Sequence, residues 1–287
     1  MPGLKKAGSP DAIRPNKRLG QHFLRDRSII HEMLERSGFL ESDSVLEIGP
    51  GLGALTIPLA GRVSRVIAVE KDDRLAETLG QRLSQGNISN VTLINDDILK
   101  TDIEKAIGQA GGRIKAIGNL PYNISSPFLE RMFRHRHIFS YAVLMFQYEF
   151  AERLLAAPGG RDYGALTVLI RYDAEVSPLI HVSRESFYPK PKVGSMVVKV
   201  DMERPHPRRA EDDRLFTMVV KGAFAHRRKT ILNSLGGTLS DYDNLEIREA
   251  LNGCNIDPMR RAETLDIDEF ITLADRLKRR KSVTGRE

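Results

Sequence analysis

An α/β fold, with a mostly parallel sheet covered by helices on both faces and a small all-helical domain at the C-terminal end, is what the 287-residue sequence predicts. Three observations predict it. Short apolar runs alternate with segments of helical period, a glycine-rich turn follows the first such run, and strand-like runs cease beyond about residue 205. The expected organisation is a basic leader over residues 1–27, a sheet domain over 28–204 and a helical domain over 205–287.

The leader carries Lys5, Lys6, Arg14, Lys17, Arg18, Arg25 and Arg27 against Asp11 and Asp26, a net +5 in a stretch with little periodicity. SIIHEMLERSGF then has apolar residues at helical spacing and stops at Gly38, ahead of strand-like SVLEIG. PGLGALTIPLAGR reads as a glycine turn running into a helix, and VSRVIAVE as an apolar strand ending in an acid. Helix DDRLAETLGQRLSQ, strand VTLINDD, strand IKAIGNL, a helix after Pro127, the apolar run YAVLMFQ and helix EFAERLLAA continue the βαβ rhythm of a parallel sheet. ALTVLIRYDAEVSPLIHV and GSMVVKVDME read as strands at its far edge, with FYPKPKV as a loop between them. ERPHPRRAEDD, two prolines among charges, reads as a linker. RLFTMVVKGAF, KTILNSL, NLEIREAL and IDEFITLADRLKRR are amphipathic helical segments.

Composition narrows the class. With 29% charged and 41% hydrophobic residues the chain reads as soluble and globular. No apolar run approaches the roughly 18–20 residues that span a bilayer, and the N-terminus lacks the apolar centre of a signal peptide, so a cytoplasmic location and no membrane partner are expected. Cys254 is the single cysteine; it excludes an intramolecular disulfide and a metal site built from thiolates alone, and no metal is expected. A net charge of +6 and a sequence pI near 9.4 raise the odds of a polyanionic partner. The charge is concentrated in the leader, in His226-Arg227-Arg228-Lys229 and in Arg276-Leu277-Lys278-Arg279-Arg280-Lys281. Each run taken alone is as well explained by a solvated surface.

VLEIGPGLGALT places Gly49, Gly51 and Gly53 between a strand and a helix, where the backbone turns sharply and a ligand approaches it closely. Gly49-x-Gly51-x-x-Ala54 also satisfies a dinucleotide fingerprint, and Glu70 at the end of the next strand is placed to accept from ribose hydroxyls. A nicotinamide dehydrogenase, an S-adenosylmethionine (SAM) methyltransferase and a purely structural turn all remain open on these residues. Two features favour SAM. Glu47, two residues before Gly49, is unwelcome beside a pyrophosphate but suits a sulfonium and an ammonium. The third strand ends in Asn95-Asp96-Asp97, where a carboxylate can accept from an adenine amino group. Asp97 is the expected acceptor and Asp96 its competitor; either also serves as an ordinary helix start.

The run NLPY, residues 119–122, carries the chemistry. Adenine N6 is a poor nucleophile because its lone pair is delocalised into the ring. Two acceptors aimed at the N6 hydrogens favour the form with a localised lone pair: the side-chain oxygen of Asn119 and a main-chain carbonyl, that of Leu120. Pro121 keeps the turn rigid and Tyr122 offers a ring for a base to stack on. A turn with a half-buried tyrosine is the plain alternative, but Asn119 follows an apolar strand, and ligands of open α/β sheets bind beyond the carboxyl ends of strands.

RLGQHFLRD, LEIGPGLGALT, VEKD, GNLPYNISSP, FYPKPKVGS and FAHRRKTILNSL, in this order and spacing, resemble the ribosomal RNA adenine dimethyltransferase family from about Asn16 to the C-terminal helices. The resemblance implies a Rossmann-like SAM-dependent methyltransferase sheet and transfer of two methyl groups to N6 of each of two adjacent adenosines. Their expected place is a hairpin loop near the 3′ end of 16S small-subunit rRNA, met within an immature subunit by a monomeric enzyme. It also implies that His22 and Leu24 contact SAM, with His22 a departure from the family's usual asparagine, and that Gly49, Glu70, Asp97 and Asn119 occupy the other SAM positions. Tyr122 and Phe187 match the two aromatics expected to sandwich the target adenine. Arg227, Arg228, Lys229 and the leader are expected to hold RNA phosphates. FYPKPKVGS and FAHRRKTILNSL look like the small-subunit branch of the family. The large-subunit branch, which methylates the other rRNA, is the rival enzyme, and an RNA-binding assembly factor whose methylation is incidental is the rival from another class.

Overall fold

The computed structural model describes residues 15–16, 19–108 and 112–284, the last four through their backbone alone. Five of the leader's cations, Lys5, Lys6, Arg14, Lys17 and Arg18, lie outside the described residues. The chain divides into two compact units, one of residues 1–148 and 178–200, the other of 149–177 and 201–287.

The first unit follows the expected alternation. After β1 (Phe23–Leu24) come α1 (Arg27–Ser37), β2 (Ser44–Ile48), α2 (Thr56–Ala60), β3 (Arg65–Glu70), α3 (Asp73–Gln85), β4 (Val91–Asn95), α4 (Ile103–Ile107), β5 (Ile114–Asn119), α5 (Ser125–Arg134) and β6 (Phe139–Gln147). Helix starts obey local chemistry. Asp26, Asp72 and Asp102 each hold an extended backbone before α1, α3 and α4 and accept from the Ser28, Arg74 and Lys105 N–H groups. Further along lie α6 (Tyr148–Leu155), α7 (Ala165–Asp173), β7 (Glu175–Val182), β8 (Phe187–Tyr188) and β9 (Ser195–Asp201). The seven-stranded sheet has the order β4-β3-β2-β5-β6-β9-β7, and the pairs β2–β3, β3–β4, β2–β5 and β5–β6 are parallel. Its inner strands are buried on both sides, as the near-continuous apolar runs require: every residue from Phe139 to Phe146 is buried.

Chain order runs outward from β2 in both directions, through β3 and β4 on one side and β5 and β6 on the other. A crevice therefore opens between the carboxyl ends of β2 and β5. These two strands meet closely there. Ile48 pairs with Gly118, and a β-carbon on Gly118 would stand 2.9 Å from the Ile48 carbonyl oxygen.

The second unit is built on α6, α7, α8 (Asp213–Phe224), α9 (Ile231–Gly236), α10 (Asn244–Gly253) and α11 (Ile267–Thr284). Its core joins Tyr163, Val168 and Tyr172 to Phe216, Leu235 and Phe270.

Three sequence expectations need correction. ALTVLIRYD is a helix, not a strand: the Gly164 N–H donates to the Thr167 hydroxyl, which donates in turn to the Arg153 carbonyl, and Val168, Ile170 and Tyr172 are buried. Tertiary burial overrides the β-preference of that apolar, β-branched run, and only Glu175–Val182 is a strand. The sheet domain drawn as 28–204 loses residues 149–177, whose helices pack with the C-terminal ones. The stretch read as a linker is anchored. The Arg209 guanidinium lies 3.5 Å from the Tyr172 ring centroid, and the Tyr172 hydroxyl donates to Asp213 at 2.5 Å. The end of the leader is structured as well, since β1 pairs antiparallel with β8 through Phe23–Tyr188 and Leu24–Phe187.

Gly118→Ala forces the two central strands apart. A loss of about 1–3 kcal/mol is expected, read as a lower urea midpoint at unchanged m value; an unchanged midpoint would show that the strands yield at no cost.

Candidate active site

A cavity of about 800 Å³ occupies the crevice, lined by the segments around His22, Gly49, Glu70, Asp97 and Asn119 and by Tyr188. The turn after β2 makes its floor. Gly49 and Gly51 have φ of +65° and +57°, a backbone shape that favours glycine, and the Gly51 N–H donates to Glu70 Oε2 at 3.0 Å. The other Glu70 oxygen accepts the Asp72 N–H at 2.8 Å, so this carboxyl ties the glycine turn to the end of β3. Burial raises its pKa, against the pull of the Asp72 and Gly51 N–H groups.

Glu47 is the most constrained acid. It is 1% exposed, lines the cavity, and its Oε2 has no hydrogen-bond partner among the described residues. Burial pushes its pKa up to about 8, with the Thr56 hydroxyl opposing and the nearby Glu70 charge adding to the rise. An orphaned buried carboxyl oxygen beside a glycine turn fits a ligand that brings positive charge and hydrogen-bond donors, which is the character of SAM and not of a pyrophosphate.

At the end of β4, Asp96 and Asp97 both line the cavity but face different partners. Asp96 accepts from the Thr101 hydroxyl at 2.9 Å and from the Asp97 N–H at 2.7 Å, which binds it into its own turn. Asp97 accepts from the Leu99 N–H at 3.0 Å and pairs with the exposed Lys71 ammonium at 2.8 Å. Burial would raise its pKa, but Lys71 and the Leu99 N–H leave it below the usual carboxylate range. Each acid keeps one main-chain N–H, but the second oxygen of Asp97 faces an exposed lysine that is readily displaced, whereas that of Asp96 is held by the buried Thr101 hydroxyl, and this favours Asp97 as the acceptor for a ligand amine.

On the opposite wall, the Asn119 amide nitrogen donates to the His22 carbonyl at 2.9 Å. A carbonyl can only accept, so this bond fixes which end of the amide is nitrogen and leaves Oδ1 as the free acceptor. Leu120 is fully buried at the cavity wall, and its N–H donates to the Met145 carbonyl at 3.3 Å. Pro121 opens a 3₁₀ turn over Tyr122–Ile124. The Tyr122 hydroxyl lies 3.2 Å from the Ser195 hydroxyl, and its ring stacks on the His22 imidazole with centroids 5.5 Å apart. Partial burial raises the Tyr122 pKa, keeping the phenol neutral. His22 Nδ1 is 2.6 Å from the Pro189 carbonyl and must carry the proton there. Leu24, the second residue of β1, is buried in the apolar core of the first unit.

The structure brings His22, Gly49, Gly51, Glu70, Asp97, Asn119, Leu120, Pro121 and Tyr122 to one cavity, with Leu24 at its edge. Phe187 is not among the lining residues. It is 5% exposed and sits in the apolar core with Leu24 and Val197, and strand alternation turns its neighbour Tyr188 to the cavity. Ser195, which meets the Tyr122 hydroxyl, and Gln21, which donates to Asp72 at 3.0 Å, are not among the expected site residues, although they lie inside FYPKPKVGS and RLGQHFLRD, the signal that could have found them.

In the second unit Arg227, Arg228 and Lys229 sit on an exposed loop between α8 and α9. Arg227 donates to the Arg161 carbonyl, which leaves its charge uncancelled, and among the described residues Arg228 and Lys229 have no ion-pair partner. The 276–281 cluster differs: Arg279 pairs with Glu211 and Arg280 with Glu249. Among the described residues no group of His, Cys, Asp and Glu is arranged to hold a metal, and no helix is long and apolar enough to cross a membrane.

The Glu47 environment gives a signed prediction. Its pKa is near 8 folded against 4.5 for the ordinary side chain, so the folded state binds the extra proton and its stability falls as pH rises from about 4.5 to 8. Glu47→Gln should leave cofactor-free stability nearly unchanged at pH 5 and raise it by on the order of a few kcal/mol at pH 8.5, as followed by urea denaturation. Equal effects at both pH values would remove the assignment.

Comparison with known proteins agrees with this geometry. Residues 13–278 match the family model described as ribosomal RNA adenine dimethylase. A protein of Desulforapulum autotrophicum named ribosomal RNA small subunit methyltransferase A is 46% identical, over 92% of this chain and 93% of its own length. A dimethyladenosine transferase from Plasmodium falciparum superposes with a TM-score of 0.73 at 27% identity, covering 91% of this chain and 98% of that one. The 23S rRNA methyltransferase ErmE superposes with a TM-score of 0.68 at 27% identity, covering 89% and 99%. With a family match across nearly all of its length, the chain belongs to the ribosomal RNA adenine dimethylase family and is a SAM-dependent methyltransferase of rRNA adenine.

Proposed function

We propose that this protein dimethylates N6 of two adjacent adenosines in the hairpin loop near the 3′ end of small-subunit rRNA during ribosome biogenesis. The observation that carries the chemistry is the orientation of Asn119, whose oxygen is left to accept because its nitrogen is committed to His22. SAM supplies an electrophilic methyl group. Glu47, Glu70 and Asp97 would hold its cationic, hydroxyl and amine groups, and Leu24 and the Gly49–Gly51 turn would complete the pocket.

Asn119 Oδ1 and the Leu120 carbonyl accept the two N6 hydrogens and localise the nitrogen lone pair toward the methyl donor. Pro121 keeps this pair of acceptors rigid. Tyr122, held by Ser195 and backed by His22, stacks the base. No general base is required before attack, because the sulfonium is activated enough for in-line displacement, and the proton leaves to water afterwards.

The small-subunit reading is favoured over the large-subunit one by a relative named for the small subunit at 46% identity, against 27% for the 23S enzyme. The FYPKPKVGS and FAHRRKTILNSL motifs point the same way. Arg227, Arg228, Lys229 and the leader would neutralise phosphates, the substrate would be an immature small subunit in the cytoplasm, and the enzyme would act as a monomer.

Mapping modified adenosines after incubation of separated immature subunits with the protein and SAM tests the whole reading. Label in the small-subunit hairpin alone is expected, and label only in large-subunit RNA would overturn it. Asn119→Ala should lower kcat by about 10²–10³-fold, the range seen when one preorganised transition-state contact is removed. Replacing Arg227, Arg228 and Lys229 together by alanine should flatten the slope of log affinity against log salt by about two to three; an unchanged slope would place the phosphate contacts elsewhere.

A further inference from the structure

Tyr188 has no part in the mechanism above, yet of the Phe and Tyr rings that line the cavity, Phe23, Tyr122 and Tyr188, it alone is exposed. It is 49% exposed, while its strand neighbour Phe187 is buried. Six large apolar side chains are exposed among the described residues, and two of them, Ile57 and Tyr188, line this one cavity. Apolar surface concentrated in a concave polar site marks a place where something binds. The ring is also held. Its main chain is fixed by the pairing of β8 with β1, where Tyr188 stands opposite Phe23, and the Arg25 guanidinium lies 4.1 Å from its centroid. An arginine stacked on one face leaves a preorganised ring whose other face suits a second flat partner.

Tyr188 is joined to the base-holding wall by one residue. His22 stacks on Tyr122 and bonds through Nδ1 to the carbonyl of Pro189, the residue after Tyr188, while its own carbonyl holds Asn119. The two tyrosines thus belong to one frame, each with one face already backed, Tyr122 by histidine and Tyr188 by arginine. A nucleotide drawn to Asn119 is pulled out of the stack with its neighbour, and an unstacked base in single-stranded RNA is typically taken up by an aromatic ring or an arginine plane.

We propose that Tyr188, backed by Arg25, is the stacking platform for the nucleobase adjacent to the one held at Asn119. The proposal rests on the RNA-adenine reading and adds a subsite to it. Because stacking needs a π-face and not a hydroxyl, Tyr188→Phe should keep KM for immature small subunits within about twofold, whereas Tyr188→Leu and Tyr188→Ala should raise it about 5- to 150-fold, the range for loss of one stacked base. The kcat and the affinity for SAM should hold in all three variants.

A second readout does not require turnover. A hairpin RNA with two adjacent loop adenosines, one replaced by the fluorescent analogue 2-aminopurine, should be quenched on binding the wild type and Tyr188→Phe, and less by Tyr188→Leu. Unchanged KM and quenching in the leucine and alanine variants would overturn the platform. Loss of SAM affinity in those variants would do so too, since it would make Tyr188 a packing residue. If the wild type failed to methylate small subunits, the functional reading would fall, while the quenching comparison would still decide on Tyr188.

Discussion

One main-chain carbonyl fixes the orientation of the Asn119 amide at the cavity wall. The His22 oxygen accepts from the Asn119 amide nitrogen, and because a carbonyl cannot donate, the Asn119 oxygen is left as the accepting end of an amide that lines the cavity. That bond spans 97 residues of sequence, from the end of the leader to the end of β5. It exists because β1 is held in place by β8, and because the Arg25 N–H and the Ser186 hydroxyl tie the same short segment to the loop that follows β7. The leader's last residues are therefore a wall of the site. An amide free to rotate would offer its donor to a base amine as readily as its acceptor, and the preference for a nucleophilic nitrogen would be lost.

The opposite wall works through burial. Glu47 and Glu70 stand at the ends of neighbouring parallel strands in a poorly solvated cavity, where two carboxylates are costly unless a cation or donors compensate. Glu70 finds two main-chain N–H groups and Glu47 finds none for Oε2. Without a ligand, burial keeps Glu47 protonated, its pKa pushed up to about 8, and a cationic ligand at its unpartnered oxygen would favour the ionised form. The cavity thus divides its labour: its acidic floor suits the donor of the methyl group, and its amide and aromatic wall suits the acceptor. In the separate helical unit, Arg228 and Lys229 have no ion-pair partner among the described residues, and Arg227 donates only to a carbonyl.

Much of this was legible in the residue order. The alternation of apolar runs with helical segments, the glycine turn and NLPY are local signals, and each appears where its chemistry places it. Local signals failed where burial decides. ALTVLIRYD has strand-like composition but forms a helix because its apolar face completes the core of the other unit, and residues 149–177 join that unit for the same reason. Phe187 and Tyr188 illustrate the limit most sharply. Both are aromatic and adjacent, and only the register of a two-residue strand turns one ring inward and the other to the cavity.

By itself, then, the sequence determined the parallel sheet, the cofactor turn, the presence of an amide and a ring at a strand end, and the family, because these depend on periodicity and on residues within a few positions of one another. Tertiary structure alone decided which atom of the Asn119 amide is committed to His22, which of Phe187 and Tyr188 lines the cavity, why Asp96 and Asp97 have different partners, and that Glu47 keeps an oxygen without a partner among the described residues. Each of those outcomes is set by a partner more than a few residues away or by exclusion of water, and neither leaves a local mark in the chain.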